Sequence, residues 1–160
     1  DFRASERTYQ LVSQVCCRCG RGKGAASAII QTFSPESPSI TLASKTDFET
    51  FATNELAFRQ SAMVPPMTRM VRFIIKDHSF EKTAGRADSL VDRLKTLKND
   101  NVTISSAAAC VLPRIADRFR FDISVTATTS TALQEFLATA RKTIKPSRDL
   151  SIDVDPISML

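Results

Sequence analysis

The sequence predicts an α/β protein of the α+β kind whose second part is a split βαβ domain. Apolar and polar residues alternate over 71–76 and again over 118–126, as they do in half-buried strands. Apolar residues recur every three or four positions over 80–94 and 133–144, as they do in amphipathic helices. From Met67 onward the order is strand, helix, strand, strand, helix, strand, which is typical of an antiparallel sheet with both helices on one face.

Before that domain, the sequence predicts a helix, a strand and a second helix. The spacing of apolar residues indicates a helix over 6–19, and the apolar stretch SAIIQTF at 27–33 indicates a short strand. Thr46 and Glu49 have the spacing of a capping box, which predicts that the second helix begins at Thr46. The segment VPPM at 64–67 prevents any helix from continuing, and the domain boundary is expected there.

The elements of the second part follow from the same patterns. The helix that starts near Phe80 ends before a cluster of Asn and Asp residues, and the helix that ends near Ile144 is expected to begin with a cap at Ser130. Between the two helices, a strand begins at Val102 and continues indistinctly toward Pro113. The predicted strands are 71–76, 102–104 with its continuation, 118–126 and 150–154.

Composition and charge limit the function classes. Of the 160 residues, 42% are hydrophobic and 24% are charged, which is ordinary for a globular protein, and no apolar run could span a bilayer. No signal pattern is present, so a cytoplasmic protein without a membrane partner is expected. The net charge of +5 favours anionic partners, nucleic acid first, although a basic surface also serves solubility alone.

The segment QVCCRCGRGKG at 14–24 holds three of the four cysteines. Structural zinc sites use about four ligands, usually in two spaced pairs, and on a helix Cys17 points roughly 100° away from Cys16. The other candidate ligands, Cys110 and His78, are far along the chain, so no metal site is expected. A redox pair of Cys16 and Cys19 is an alternative, but we favour small apolar residues on a packed helix in a reducing compartment.

The same segment has the features of a phosphate-facing site. Arg18 and Arg21 lie three residues apart at the expected end of the helix, and the glycines that follow permit close approach of the backbone to an anion. The segment is not a P-loop, because GxxxxGK[ST] occurs nowhere in these 160 residues.

These residues carry a resemblance to a known family. The stretch DFRASERTYQLVSQVCCRCGRGKG resembles the end of the second helicase lobe in the PriA (primosomal protein N′) family, where motif VI reads QxxGRxGRG. Four later stretches resemble the family's sequence in the same order: IIQTFSPESPSI, ELAFRQSAMVPPMTR, LPRIADRFRF and IDVDPISML. The resemblance covers essentially the whole chain, and its strength lies in the ordered set of motifs.

The resemblance implies a division into three segments. Residues 1–45 would be the terminal piece of a RecA-like helicase lobe with motif VI and its last strand, 46–66 a connecting helix and linker, and 67–160 the family's C-terminal domain. Without the rest of the lobe, residues 1 to about 45 are expected to be only partly ordered.

The resemblance also implies an activity for a longer parent protein. That protein would be a replication-restart helicase of primosome assembly, which binds forked and single-stranded DNA and unwinds it 3′ to 5′ with ATP and Mg. Arg21 matches the family's arginine finger, and Arg18 and Gln14 match residues that couple nucleotide to DNA. The P-loop lobe and the family's zinc module are outside this segment, so the chain alone is expected to bind no cofactor and to be inactive as an ATPase.

The partners that the resemblance implies are DNA, the tail of the single-stranded DNA-binding protein, and the primosomal proteins that load the replicative helicase. Gln134, near the start of the last helix, looks like one of the family's contacts for that tail.

An alternative is a free-standing, non-catalytic module for nucleic acid or protein. Strand alternation places four cations on the open face of the sheet, where they would form a basic platform for nucleic acid. The simpler interpretation of these residues is a solvated face. The four are Arg72, Lys76, Arg118 and Arg120.

Overall fold

The computed structural model describes residues 1–19, 27–97, 99–145 and 147–159. The chain divides into two compact units, Asp1–Ala62 and Met63–Leu160. The helix that we expected to connect two domains therefore belongs to the first unit. The assignment of residues 1–45 to a helicase lobe stays a prediction.

The first unit is helical and has its own small core. Its helices are α1 (Ala4–Arg18), α2 (Pro38–Ser44) and α3 (Phe48–Ser61). Tyr9 and Val12 of α1 are buried with Ala43 of α2 and Phe51 of α3, and the rings of Tyr9 and Phe51 stack with their centroids 4.2 Å apart. Helices α1 and α2 thus share a core with α3, and the partial order expected of residues 1 to about 45 stays a prediction.

An ion-pair network adds to the contact between α1 and α3. Glu6 accepts hydrogen bonds from Arg3 and from Arg59, and Arg59 also pairs with Glu55 at 2.8 Å. The hydrogen bonds from Arg3 and Arg59 outweigh desolvation and lower the pKa of Glu6 to about 2. Glu6 is therefore charged at neutral pH, when it holds the two helices together.

The predicted strand at 27–33 is wrong. These residues adopt no regular secondary structure, and Ile29 and Phe33 are almost fully exposed. A strand needs a neighbouring strand to pair its backbone groups, and the described part of the first unit contains none. The sequence pattern shows an apolar run, but it does not show whether a second strand is present to pair with it.

Helix α2 was not predicted, and it changes the interpretation of Thr46. The α2 helix ends in a Schellman motif, in which the Asp47 N–H donates to the carbonyl of Leu42 at 3.0 Å and the Thr46 N–H to that of Ala43 at 3.1 Å. Thr46 lies in the left-handed region, with φ of 57°. The cap of α3 is Asp47, whose carboxylate accepts from the Thr50 N–H, so the expected capping box at Thr46 is not formed.

The second unit is a five-stranded antiparallel sheet with two helices, which confirms the α+β class and the split βαβ topology. The strand order is β2-β4-β1-β5, and β3 pairs with β4 beside β2. The elements are β1 (Arg69–Asp77), α4 (Phe80–Lys95), β2 (Val102–Ile104), β3 (Ala108–Ile115), β4 (Arg118–Ala127), α5 (Ser130–Thr143) and β5 (Leu150–Val154).

The core of this unit lies between the two helices and one face of the sheet. Inward residues of β1 and β4 alternate as predicted, and they pack with the apolar stripes of α4 and α5. The largest buried apolar side chains include Phe73, Ile123 and Leu94. Helices α4 and α5 both pack on this core face, and the opposite face carries the cations that the alternation predicted.

The indistinct strand after Val102 is two strands. β2 and β3 both pair with the same edge of β4, and Ser105 bridges the gap between them, because its N–H donates to the Ser124 carbonyl and its Oγ accepts from the Ser124 N–H, both at 2.9 Å. A two-residue turn with positive φ at Ala116 and Asp117 joins β3 to β4.

The cap of α5 also differs from the prediction by one residue. The hydroxyl of Thr129, and not that of Ser130, accepts from the N–H of Ala132 at 3.2 Å.

Candidate nucleic-acid interface

The residues that resemble motif VI lie at the end of α1. Gln14 and Arg18 are one turn apart and exposed, and α1 ends at Arg18. A cation in the last turn of a helix is favoured by the helix dipole, and this position leaves the guanidinium accessible to an anion. Arg21 lies outside the described residues.

The cysteines behave in three different ways. Cys16 packs against the core of the first unit, Cys17 is exposed, and Cys110 is buried in the sheet of the second unit. Burial raises the pKa of the Cys110 thiol. Among the described residues, no three His, Cys, Asp or Glu side chains are grouped as they would be around a metal ion.

Arg72 does not belong to an open basic platform. It lies on the predicted face of the sheet, but its side chain is only 1% exposed. Its guanidinium donates twice to Asp122 Oδ2, at 2.5 and 3.0 Å, and once each to the carbonyls of Ser158 and Met159, at 3.0 Å. The end of the chain therefore covers Arg72, and a structural role replaces the predicted DNA contact.

The other three predicted cations lie close together at one end of the same face. Lys76 and Arg120 are direct partners in the β1–β4 ladder, and Arg118 is two residues from Arg120 on β4. Lys76 is half-buried, and its Nζ donates to the Ser151 hydroxyl at 3.2 Å. Arg120 is 8% exposed, and its Nη1 makes one long hydrogen bond, 3.5 Å, to the Leu112 carbonyl.

A fourth cation joins this group from a different part of the chain. Arg148 is exposed in the segment before β5, and with the other three it lines a cavity of about 430 Å³. We call this cavity the basic pocket; its lining is Lys76, Ile115, Ala116, Arg118, Arg120 and Arg148. Sequence reasoning missed Arg148, because it lies outside any alternating strand and only the pairing of β5 with β1 brings it near Lys76.

One carboxylate lies beside the basic pocket. Asp149 accepts from Arg118 Nη1 at 2.7 Å and also lies 3.5 Å from Arg86 of α4. Within the described ranges, Lys76, Arg120 and Arg148 have no carboxylate at ion-pair distance. The pocket thus keeps an excess of positive charge.

Gln134 is exposed on the first half of α5, as the prediction requires for a contact residue. Arg141 follows seven residues later, two turns along the same helix face. Near Arg141 lies an apolar groove of about 300 Å³ between α5 and β5, whose lining includes Phe73, Leu137 and Ile152. The helix therefore presents an amide, a cation and an apolar groove on one side of the second unit.

No helix in the described ranges is long and apolar enough to cross a membrane.

Comparison with known proteins gives consistent matches. The family model described as primosomal protein N C-terminal domain matches residues 60–157. Relatives called replication restart protein PriA match the chain from Bacillus subtilis (30% identical, over 100% of this chain and 20% of the relative), Treponema pallidum (30%, over 100% and 25%) and Rickettsia felis (33%, over 99% and 24%). The chain spans about a fifth to a quarter of the length of these relatives.

Proposed function

This chain belongs to the PriA family of replication restart proteins, in which its second unit matches the C-terminal domain, and we propose that the chain binds forked and single-stranded DNA. The observation that carries the proposal is the convergence of Lys76, Arg118 and Arg120 at one end of the sheet face opposite α4 and α5. Cations that neutralise backbone phosphates release counterions, which makes such binding favourable and dependent on salt.

DNA binding can be tested directly with the 160-residue chain. A fluorescently labelled fork and a labelled single strand are titrated at several salt concentrations, and the logarithm of the binding constant is expected to fall linearly with the logarithm of salt concentration. A chain that binds neither DNA, or binds with no salt dependence, contradicts the proposal.

For the longer protein, we infer ATP-dependent 3′ to 5′ unwinding in which Arg21 stabilises the charge on the transferred phosphoryl group. Gln14 and Arg18 support this role, since both are exposed at the end of α1 that leads to Arg21. Arginine fingers can raise the rate by about 10³-fold or more. The P-loop and the Mg ligands would come from residues outside this chain, and the family's zinc module would too.

The ATPase role is tested in a full-length relative. Changing the arginine aligned with Arg21 to Ala should lower DNA-stimulated ATP hydrolysis by about 10³-fold while DNA affinity is retained. Equal ATPase rates in the unaltered relative and in its Ala variant argue against the arginine-finger role.

We also propose that α5 binds the acidic, apolar tail of the single-stranded DNA-binding protein, as one step in recruiting the helicase-loading proteins in the cytoplasm. Gln134, Arg141 and the apolar groove beside Arg141 support this proposal, because such a tail needs a cation and an apolar slot. Titration with a labelled tail peptide should show saturable binding that is weakened in Arg141→Gln. Binding that is unchanged in this variant contradicts the role of α5.

The second candidate function is a free-standing binding module. The basic pocket lies wholly in the second unit and favours it equally. The two functions differ in what is encoded upstream of Asp1: a lobe with GxxxxGK[ST] there supports the helicase, whereas a stop codon supports the module.

A further inference from the structure

We propose that the basic pocket is a binding site for a phosphate group, with Lys76, Arg120 and Arg148 as the ligand-binding residues and Arg118 as a fourth cation held by Asp149. The inference deepens the proposed function and depends on it for the source of the phosphate, which is nucleic acid. It adds Arg148, and it replaces an extended basic platform by a confined site for one group.

The first argument is the repulsion built into the sheet. Lys76 and Arg120 are direct cross-strand partners, and side chains at such positions start from Cβ atoms about 5 Å apart. Like charges directly opposite each other destabilise an antiparallel pair. An anion between the two side chains would turn this repulsion into attraction.

The second argument is the hydrogen-bonding capacity of Arg120. A guanidinium carries five N–H donors, and those without a partner in the protein can bind a ligand. Arg120 is 8% exposed, yet among the described residues its guanidinium makes one hydrogen bond, at 3.5 Å to Leu112. Arg72, on the same face, makes four hydrogen bonds of 2.5 to 3.0 Å. Arg120 therefore has donors available for a ligand in the pocket that it lines.

The third argument is the charge and shape of the site. Asp149 offsets one of the four cations, so an excess of three positive charges surrounds a concave space of about 430 Å³. Phosphate groups suit such a site, because Arg and Lys recognise their oxygens with charge-assisted hydrogen bonds. The tight turn at Ala116 and Asp117 and the Lys76 N–H bond to the Asp149 carbonyl, 2.8 Å, fix two walls of the pocket.

The DNA arm of the test uses the full chain and two charge-matched double variants. Lys76→Gln/Arg148→Gln removes two cations from the pocket, and Lys95→Gln/Lys142→Gln removes two exposed cations from the helix ends of the same unit. The single variant Arg148→Gln is made as well. Because Arg148 is exposed, this variant should fold normally, so that a change in its DNA affinity reports on the pocket. At 0.1 M salt the pocket variant should bind single-stranded DNA about an order of magnitude more weakly per cation removed, with a salt slope smaller by about 1 per cation.

The phosphate arm uses inorganic phosphate and amide NMR spectra. Phosphate should shift the amide signals of residues 115–118 and 148–149 in the unaltered chain and in the control variant, and not in the pocket variant. DNA strands with and without a 5′ phosphate then distinguish the source of the phosphate. If the pocket variant loses more affinity for the phosphorylated strand, the pocket binds a terminal phosphate. If it loses the same affinity for both strands, the pocket binds a backbone phosphate.

The failures of the two proposals are distinguishable. If both double variants weaken DNA binding equally, or if phosphate shifts no pocket amide, the pocket is not a phosphate site, even where the chain binds DNA. If the unaltered chain binds no DNA but phosphate shifts the pocket amides, the pocket stands and the nucleic-acid function fails.

Discussion

At the scale of single residues, Arg72 shows what a sequence can and cannot predict. Alternation along β1 predicted its face correctly, since the side-chain period of a strand is a local property. Its burial depends on Asp122 of a partner strand and on two carbonyls at the end of the chain. These partners are 50 to 87 residues away along the chain, so the pattern around Arg72 contains no sign of them.

Replacing Arg72 should therefore affect stability. Arg72→Met leaves Asp122, whose side chain is 14% exposed, without its partner, and the free energy of unfolding should fall by about 3 kcal/mol. Arg114→Met is the matched control, because Arg114 is a mostly exposed cation of the same sheet whose partner is the exposed Asp117; it should cost less than about 1 kcal/mol. Urea unfolding measures both, and equal losses in the two variants contradict the structural role of Arg72.

At the scale of elements, the helices and strands with clear periodicity were predicted, and the two main errors have different causes. Helix α2 has a usual start signal, Ser37 followed by Pro38, that was available in the sequence and was missed. The strand expected at 27–33 failed for the opposite reason, since its pattern was present but no described strand pairs with it. The junction of α2 and α3 shows how one residue decides where an element ends.

Thr46 gives a prediction at this scale. A β-branched residue at φ of 57° is strained, and the Schellman position that it occupies favours glycine. Thr46→Gly should raise the free energy of unfolding of the first unit by about 0.5–1 kcal/mol.

Ser44→Gly serves as its control. Ser44 is exposed in the last turn of α2, where glycine has no such advantage and should lower stability by about 0.5 kcal/mol. Thermal unfolding should show a higher Tm for Thr46→Gly and a lower Tm for Ser44→Gly. If the Tm changes in the same direction in both variants, the left-handed conformation of Thr46 is not the cause.

At the scale of the whole molecule, the two units have separate cores. The first is a cluster of four buried residues and their neighbours, whereas the second includes most of the sheet and both of its helices. The order of elements from Met67 onward could be predicted because each is long enough to show its period. The basic pocket could not be predicted, because its residues come from β1, from β4 and from the segment before β5. Only the pairing of the strands in the folded sheet brings these residues together.

This separation predicts that residues 63–160 fold on their own. The fragment should unfold cooperatively on heating, since its core needs no side chain from the first unit. Circular dichroism of the fragment and of the full chain tests this, with residues 1–62 as the comparison. The smaller core of that piece should leave it less stable. A fragment 63–160 without a cooperative transition would show that its core is incomplete.

The hydrogen bonds from Arg72 to the segment after β5 limit how the length of this segment can change. The guanidinium holds the main-chain carbonyls of residues 158 and 159, and the Met70 carbonyl accepts the N–H of Asp155. Every residue type supplies a main-chain carbonyl, whereas proline cannot supply the N–H at position 155. These hydrogen bonds therefore depend on the spacing of residues 158 and 159 from β5 and not on the identity of their side chains, so a one-residue deletion between β5 and residue 158 should break them.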